Sequence, residues 1–133
     1  MDSAYVTAMR EHLEQLSEEL NELKTLAQQN ELNTLMQRAS ERTLQILVEA
    51  CIGIAKQTLK AQGRAVPTEA REAFRKLQEL KLDHSGTDWN KVVGLRNALV
   101  HDYLNLDKQI IQEIILKERF ASLFEFATEQ LDR

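Results

Sequence analysis

Cysteine occurs once in the 133 residues, proline once, glycine four times, and aromatic residues make up 5% of the chain. A lone Cys51 cannot close an intramolecular disulfide, which excludes a small scaffold stapled by bridges. Its apolar surroundings read as those of a small buried thiol in a reducing compartment. So little glycine and proline leaves no material for the many turns of an all-β domain and excludes a collagen-like repeat. With few aromatics, the core must be built from Leu, Ile, Val and Ala. No membrane-length apolar run exists, since the longest apolar window, residues 46–55, is broken by Glu49. Residues 1–12 hold no basic segment followed by an apolar one. The expectation is a cytoplasmic protein with no membrane partner.

What is abundant is helix-forming material. Ala, Leu, Glu, Lys and Arg supply 65 of the 133 residues, the composition of long helices packed on one another. A hydrophobic fraction of 43% argues against disorder, and the length suits one modest core, hence a single domain over residues 1–133. The net charge of −4 is unevenly spread. Residues 1–31 carry seven acids against Arg10 and Lys24, and the remainder carries 14 acids and 15 bases. Broad electrostatic binding of DNA or RNA is therefore not expected, whereas a site-sized basic patch on the near-neutral body is compatible with the charge.

The spacing predicts about five helices. Val6, Met9, Leu13, Leu16, Leu20, Leu23 and Ala27 recur at intervals of 3 and 4, a seam that serves either the helix's own bundle or a second chain. Residues 32–62 are apolar on nearly every face, which marks the central helix. Gly53 in its middle predicts a close approach by another helix. Glu49 is the anomaly there, because a carboxylate in apolar surroundings needs a cationic or hydrogen-bonding partner; it serves either a structural ion pair or the lining of a site. Pro67-Thr68-Glu69 reads as a turn and N-cap for a short third helix. Thr87 or Asp88 caps a fourth helix carrying Trp89, Val92, Val93, Leu95 and Leu99. A fifth runs from near residue 105 through Ile110, Ile111, Ile114, Ile115, Phe120, Leu123, Phe124, Ala127 and Leu131.

Most signatures of chemistry are missing. His12, His84 and His101 are far apart, no Glu-x-x-His pair occurs, and neither a glycine-rich phosphate loop nor a Gly-x-Ser-x-Gly elbow is present. The pattern gives no metal site and no cofactor. One polar cluster stands out: Arg96, Asn97, His101, Asp102 and Tyr103 fall within eight residues of an otherwise apolar helix end. Histidine exchanges protons near neutral pH, arginine clamps phosphate bidentately, and the amide and phenol can position an oxygen. Together they suit metal-free phosphodiester cleavage, in which a ribose 2′-hydroxyl attacks the adjacent phosphate. Geometry limits this, because Arg96 and His101 differ by about 140° around one ideal helix. Either the helix bends or ends near Val100, or a second chain completes the site. The bland alternative is a helix C-terminus with His101 near the dipole's negative end and Arg96 paired to Glu49 or Asp102.

Arg96-Asn97-x-x-x-His101-x-Tyr103 resembles the Arg-x4-His-x-Tyr motif of the HEPN superfamily, specifically its HepT-like toxins. Residues 93–97 and 101–103 resemble the family's extended motif block, and residues 49–55 its second-helix block, so the resemblance spans roughly residues 35–127. The acidic stretch 1–31 is least covered. The resemblance implies an all-α HEPN-type bundle that forms a homodimer, with the two motif copies lining a cleft between subunits. It implies a metal-independent endoribonuclease toxin acting on RNA, with Arg96 and His101 as the catalytic pair and Asn97 and Tyr103 in support. Asp102 within the cluster and Glu49 upstream complete the supporting candidates. It further implies a minimal nucleotidyltransferase antitoxin of the MNT type that silences the toxin by adding adenylate to Tyr103. Phosphate and adenine beside Arg96 and His101 would compete for the cation that RNA needs.

Two departures stand out. In the second-helix block an aspartate commonly follows Cys-Ile and an Asn-His pair follows Ile-Ala, where this sequence has Gly53 and Lys56-Gln57. Lys56, Lys60 and Arg64 make that helix end basic, which favours either RNA or a solvated face. Two other readings of the chain stand beside the nuclease: a noncatalytic HEPN module that binds a nucleotide or assists a nucleotidyltransferase, and a helical dimerisation protein whose polar cluster joins subunits.

Overall fold

The computed structural model describes residues 1–133, the side chain of Tyr103 excepted. Six helices follow one another: α1 Ser3–Gln28, α2 Thr34–Ala61, α3 Ala70–Glu79, α4 Trp89–His101, α5 Lys108–Leu116 and α6 Ala121–Leu131. A single 3-10 turn at Tyr103–Asn105 joins α4 to α5. The all-α architecture is as the composition requires.

The central helix is the predicted one. Helix α2 touches each of the other five, and Leu44, Leu47, Val48, Cys51, Ile54, Ala55 and Leu59 are buried on it. The seam of α1 faces this bundle: Leu13, Leu16, Leu20 and Leu23 are buried where α1 packs on α2, α5 and α6. Gly53 is met by α1, though only through the Tyr5 hydroxyl, 3.7 Å from where a Cβ would stand. That is ordinary van der Waals contact, so the glycine is not forced by a close backbone approach.

The expected fifth helix is two helices, α5 and α6, separated at residues 117–120. Glu118 adopts φ +50°, the Glu118 amide donates to the Ile115 carbonyl and the Arg119 amide to the Ile114 carbonyl. This pair of bonds closes α5 in a Schellman motif. Helix α1 ends in the same way at Asn30 and α3 at Lys81, while α2 ends at Gly63, the one glycine among the four. The expected cap at Pro67-Thr68-Glu69 also differs. Helix α3 begins at Ala70 behind Glu69, whose side chain makes no capping bond, and the Thr68 carbonyl instead accepts from Lys56 Nζ at 2.9 Å.

Helix α4, which carries the polar cluster, is fixed firmly at its start. Asp88 caps it by accepting from the Lys91 amide. Trp89 stacks on Phe74 of α3 with ring centroids 3.7 Å apart, and Phe126 of α6 closes on both rings edge-on. The Trp89 indole donates to Asp83 Oδ2 at 2.7 Å. The other Asp83 oxygen accepts from the Ser85 amide and hydroxyl. One carboxylate thus organises the loop and satisfies the polar edge of a buried indole.

Candidate functional site

Glu49, about four turns into α2, and Arg96, about two turns into α4, come together where the two helices pack. Arg96 Nη1 donates to Glu49 Oε1 at 3.0 Å, and the arginine side chain is 24% exposed against 44% for the glutamate. The anomalous carboxylate of the central helix has therefore found its cation, and Glu49 rather than Asp102 is the partner. Arg96 Nε is buried with no acceptor among the described residues. An arginine carries five N–H donors in a rigid fork, so this guanidinium is held at one corner and left with unused donors. That suits it to a ligand bearing several acceptor oxygens.

His101 is the last residue of α4 and is exposed. Asp102 ends the helix with its amide donating to the Ala98 carbonyl, and its Oδ1 accepts from Asn105 Nδ2 at 2.7 Å. Asp102 thus secures the 3-10 turn that follows, at a distance from the Arg96–Glu49 pair in bonding terms. Asn97 is half-buried beside Arg96. Tyr103, both the supporting and the modification candidate, has its side chain outside the described residues. Helix α4 runs straight on to His101 and ends there, one residue past Val100, so the expected end of the helix is found and the bend is not; Arg96 and His101 both lie within the helix, and the separation of about 140° between them stands.

Of the basic residues at the far end of α2, Lys56 is committed to the Thr68 carbonyl, while Lys60 and Arg64 are exposed. Other histidines lie elsewhere: His12 is exposed on α1, and His84 pairs with Glu129. Among the described residues no three His, Cys, Asp or Glu side chains gather at metal-binding range. Cys51 is fully buried, its thiol 3.6 Å from the Leu123 carbonyl, and burial pushes its pKa far up. It is no nucleophile at neutral pH.

Sequence reasoning missed the cleft next to this helix end. A concavity of about 620 Å³ lies between the first half of α2 and residues 99–108, with Arg38, Arg42 and Lys108 on its walls. Its signal was present in the chain, since Arg38, Arg42, Gln45 and Glu49 recur at intervals of 4, 3 and 4 on α2.

Comparison with known proteins places the chain in a family. An mRNA nuclease HepT from Shewanella oneidensis is 36% identical over 74 residues, covering 54% of this chain and 56% of that protein. A provisionally named RNase from Caldanaerobacter subterraneus is 40% identical over 48 residues, 35% of this chain and 43% of the other. The matches thus span about half the length of these curated relatives. A solved chain described as the crystal structure of the toxin-antitoxin with AMP-PNP has the same fold, with a TM-score of 0.84 at 22% identity over 98% of this chain and 99% of that one. The model of the family described as Ribonuclease HepT-like matches residues 9–129, and the chain belongs to that family.

Proposed function

We propose that this protein is an endoribonuclease toxin that cleaves RNA in the cytoplasm without a metal ion. The observation that carries the reading is the Arg96 guanidinium. It is anchored at one corner by Glu49, has a buried Nε with no acceptor among the described residues, and sits on the helix that ends in exposed His101. In the reaction a ribose 2′-oxygen bonds to the adjacent phosphorus and the bond to the 5′-oxygen breaks, leaving a 2′,3′-cyclic phosphate and a 5′-hydroxyl. His101 takes the 2′-hydroxyl proton and returns one to the leaving oxygen, and Arg96 stabilises charge on the phosphoryl oxygens. Glu49 is a positioning residue that aims Arg96, Asn97 holds an oxygen of the substrate, and Asp102 shapes the turn that presents His101.

Residues 1–133 act as one domain and pair as a homodimer. Within a chain Arg96 and His101 face different ways around α4, so a two-fold cleft in which each motif faces its copy brings both groups to one phosphate. Kinship with the mRNA nuclease HepT of Shewanella oneidensis supports RNA as the substrate. The shared fold with a toxin-antitoxin chain supports an antitoxin partner. That partner is a minimal nucleotidyltransferase of the MNT type, and it silences the site by transferring adenylate to the Tyr103 hydroxyl.

The deciding experiment incubates the protein and His101→Ala with total tRNA in excess chelator, after intact-mass measurement shows Tyr103 unmodified. Cleavage by the parent alone, with cyclic phosphate ends, is expected. A requirement for magnesium, or cleavage persisting in the variant, overturns the mechanism. Intact RNA in both returns the protein to the noncatalytic binding-module reading.

A further inference from the structure

The cleft between the start of α2 and residues 99–108 has a chemistry of its own. Arg38, Arg42 and Lys108 line it against a single carboxylate, Glu41. All three cations are exposed, and among the described residues none is in an ion pair. Three cations converge here although the chain as a whole carries −4. At the same place α2 begins: Asn33 caps the Met36 amide, and the amides of Thr34 and Leu35 have no acceptor within the helix. An independent observation points to a ligand. Gln37, only 3% exposed, lines the cleft; its Oε1 accepts from Gln112 Nε2 at 3.4 Å, while its Nε2 is a buried donor with no partner among the described residues. Unmet cations, helix-start amides and an unmet buried amide donor are what a phosphate group would satisfy.

The cleft leads toward the candidate site. Arg38, Arg42, Gln45 and Glu49 form one stripe along α2, and the rise of 1.5 Å per residue puts Arg38 about 16 Å from Glu49 along the axis. Glu49 holds Arg96, and the opposite wall of the cleft includes Leu99 and the 85% exposed Leu104, which bracket His101 in the chain. We infer that Arg38, Arg42 and Lys108 form a track for the RNA backbone, holding phosphates that flank the scissile one. This rests on the ribonuclease reading and adds to it a second binding region, distinct from Arg96 and His101. The exposed face of Leu104 gives a base an apolar surface at the mouth of the track.

The test measures binding of a labelled 12-nucleotide single-stranded RNA, in the uncleaving His101→Ala background, across a salt series. Arg38→Glu with Arg42→Glu should weaken binding at least tenfold and flatten the salt dependence by about 1.4 in the log–log slope, the value for two lost phosphate contacts to a single strand. Both positions are exposed, so helicity by circular dichroism should be unchanged. Lys60→Glu with Arg64→Glu makes the same change in net charge at the other end of α2 and should have little effect. Equal weakening by both pairs means general electrostatics and overturns the track. Unchanged affinity in the Arg38/Arg42 variant also overturns it, while cleavage by the parent protein keeps the ribonuclease reading standing. RNA bound through the track but never cut overturns the ribonuclease reading alone, and RNA neither bound nor cut overturns both. Inorganic phosphate is the second probe. If it shifts the amide resonances of residues 34–37 in the parent but RNA binding ignores the charge reversal, the cleft is a free-anion site and no RNA track.

Discussion

Glu49 and Arg96, 47 residues apart in the chain, meet at 3.0 Å across the contact of α2 with α4. With the glutamate 44% exposed, the pair contributes about 1 kcal/mol or less to stability. Under the proposed function its weight is in orientation. Glu49→Ala should leave the melting temperature within a few degrees and lower kcat/KM for RNA by about tenfold or more, as expected when a phosphate-binding arginine loses its aim. Glu49→Gln, which can still accept from Nη1, should recover part of that loss. Parallel unfolding and cleavage measurements check this, and equal activity in all three proteins would refute the positioning role.

His101 stands exposed at the helix end, so its removal should cost no packing. His101→Ala is expected to fold with parental stability and to lose about 10²-fold to 10⁴-fold in cleavage rate, the span for a general acid–base group. Single-turnover kinetics on a short RNA read the loss directly.

Cys51 provides a probe of opening. The buried thiol has its pKa raised chiefly by desolvation, with a smaller contribution from the Asp83 charge. Native protein should therefore react with a thiol reagent far more slowly than the unfolded chain. The same shift carries a pH dependence. The folded protein keeps the proton that the unfolded chain releases near pH 8.5, so stability from this group is intact below that range and falls as pH rises through and above it. A Cys51→Ser variant that fell equally steeply between pH 8 and 10 would remove Cys51 as the cause.

Leu47 is fully buried on the helix that touches all the others. Leu47→Ala should destabilise by about 2–5 kcal/mol through lost burial and the cavity left behind, as read from urea denaturation.

Lys81 occupies a left-handed position, φ +58°, at the end of α3 and is exposed. Lys81→Gly should stabilise the protein by about 0.5–1 kcal/mol, because glycine carries no Cβ penalty there. A loss of stability would show that the lysine stem contributes contacts that outweigh its backbone strain.

These helix ends also explain what the sequence left illegible. The seam of α1, the all-apolar face of α2 and the Asp88 cap of α4 each follow from a local pattern, and each is found in the structure. The break between α5 and α6 has no such pattern, because Lys117-Glu118-Arg119 are ordinary helix formers and the left-handed residue is a glutamate. Ile111 and Ile115 before the turn and Leu123 and Phe126 after it are all buried, and the break lets each short helix pack on α1 and α2 separately. Only the finished core contains that arrangement. The site divides in the same way. Arg96, Asn97, His101 and Glu49 could be named from residue types and their spacing. Arg38 and Arg42 share a face of α2 by their spacing, but nothing local to the sequence brings Lys108 to them, because that needs residues 104–108 to fold across the start of α2.

Helix α4 acts as a rigid arm, gripped by aromatic rings at its start and held further along by buried Val93 and Leu99 and by the Glu49–Arg96 pair. Phe74, Phe126 and Asp83 grip Trp89 at its root, and twelve residues further along, about 18 Å away, His101 stands at the tip. Angular error at the root is magnified by that length. A tilt of about three degrees at Trp89 carries His101 through about 1 Å, a displacement that can cost two orders of magnitude in rate. Small changes in the aromatic clamp, remote from any phosphate, would thus act as a fine adjustment of where the imidazole arrives.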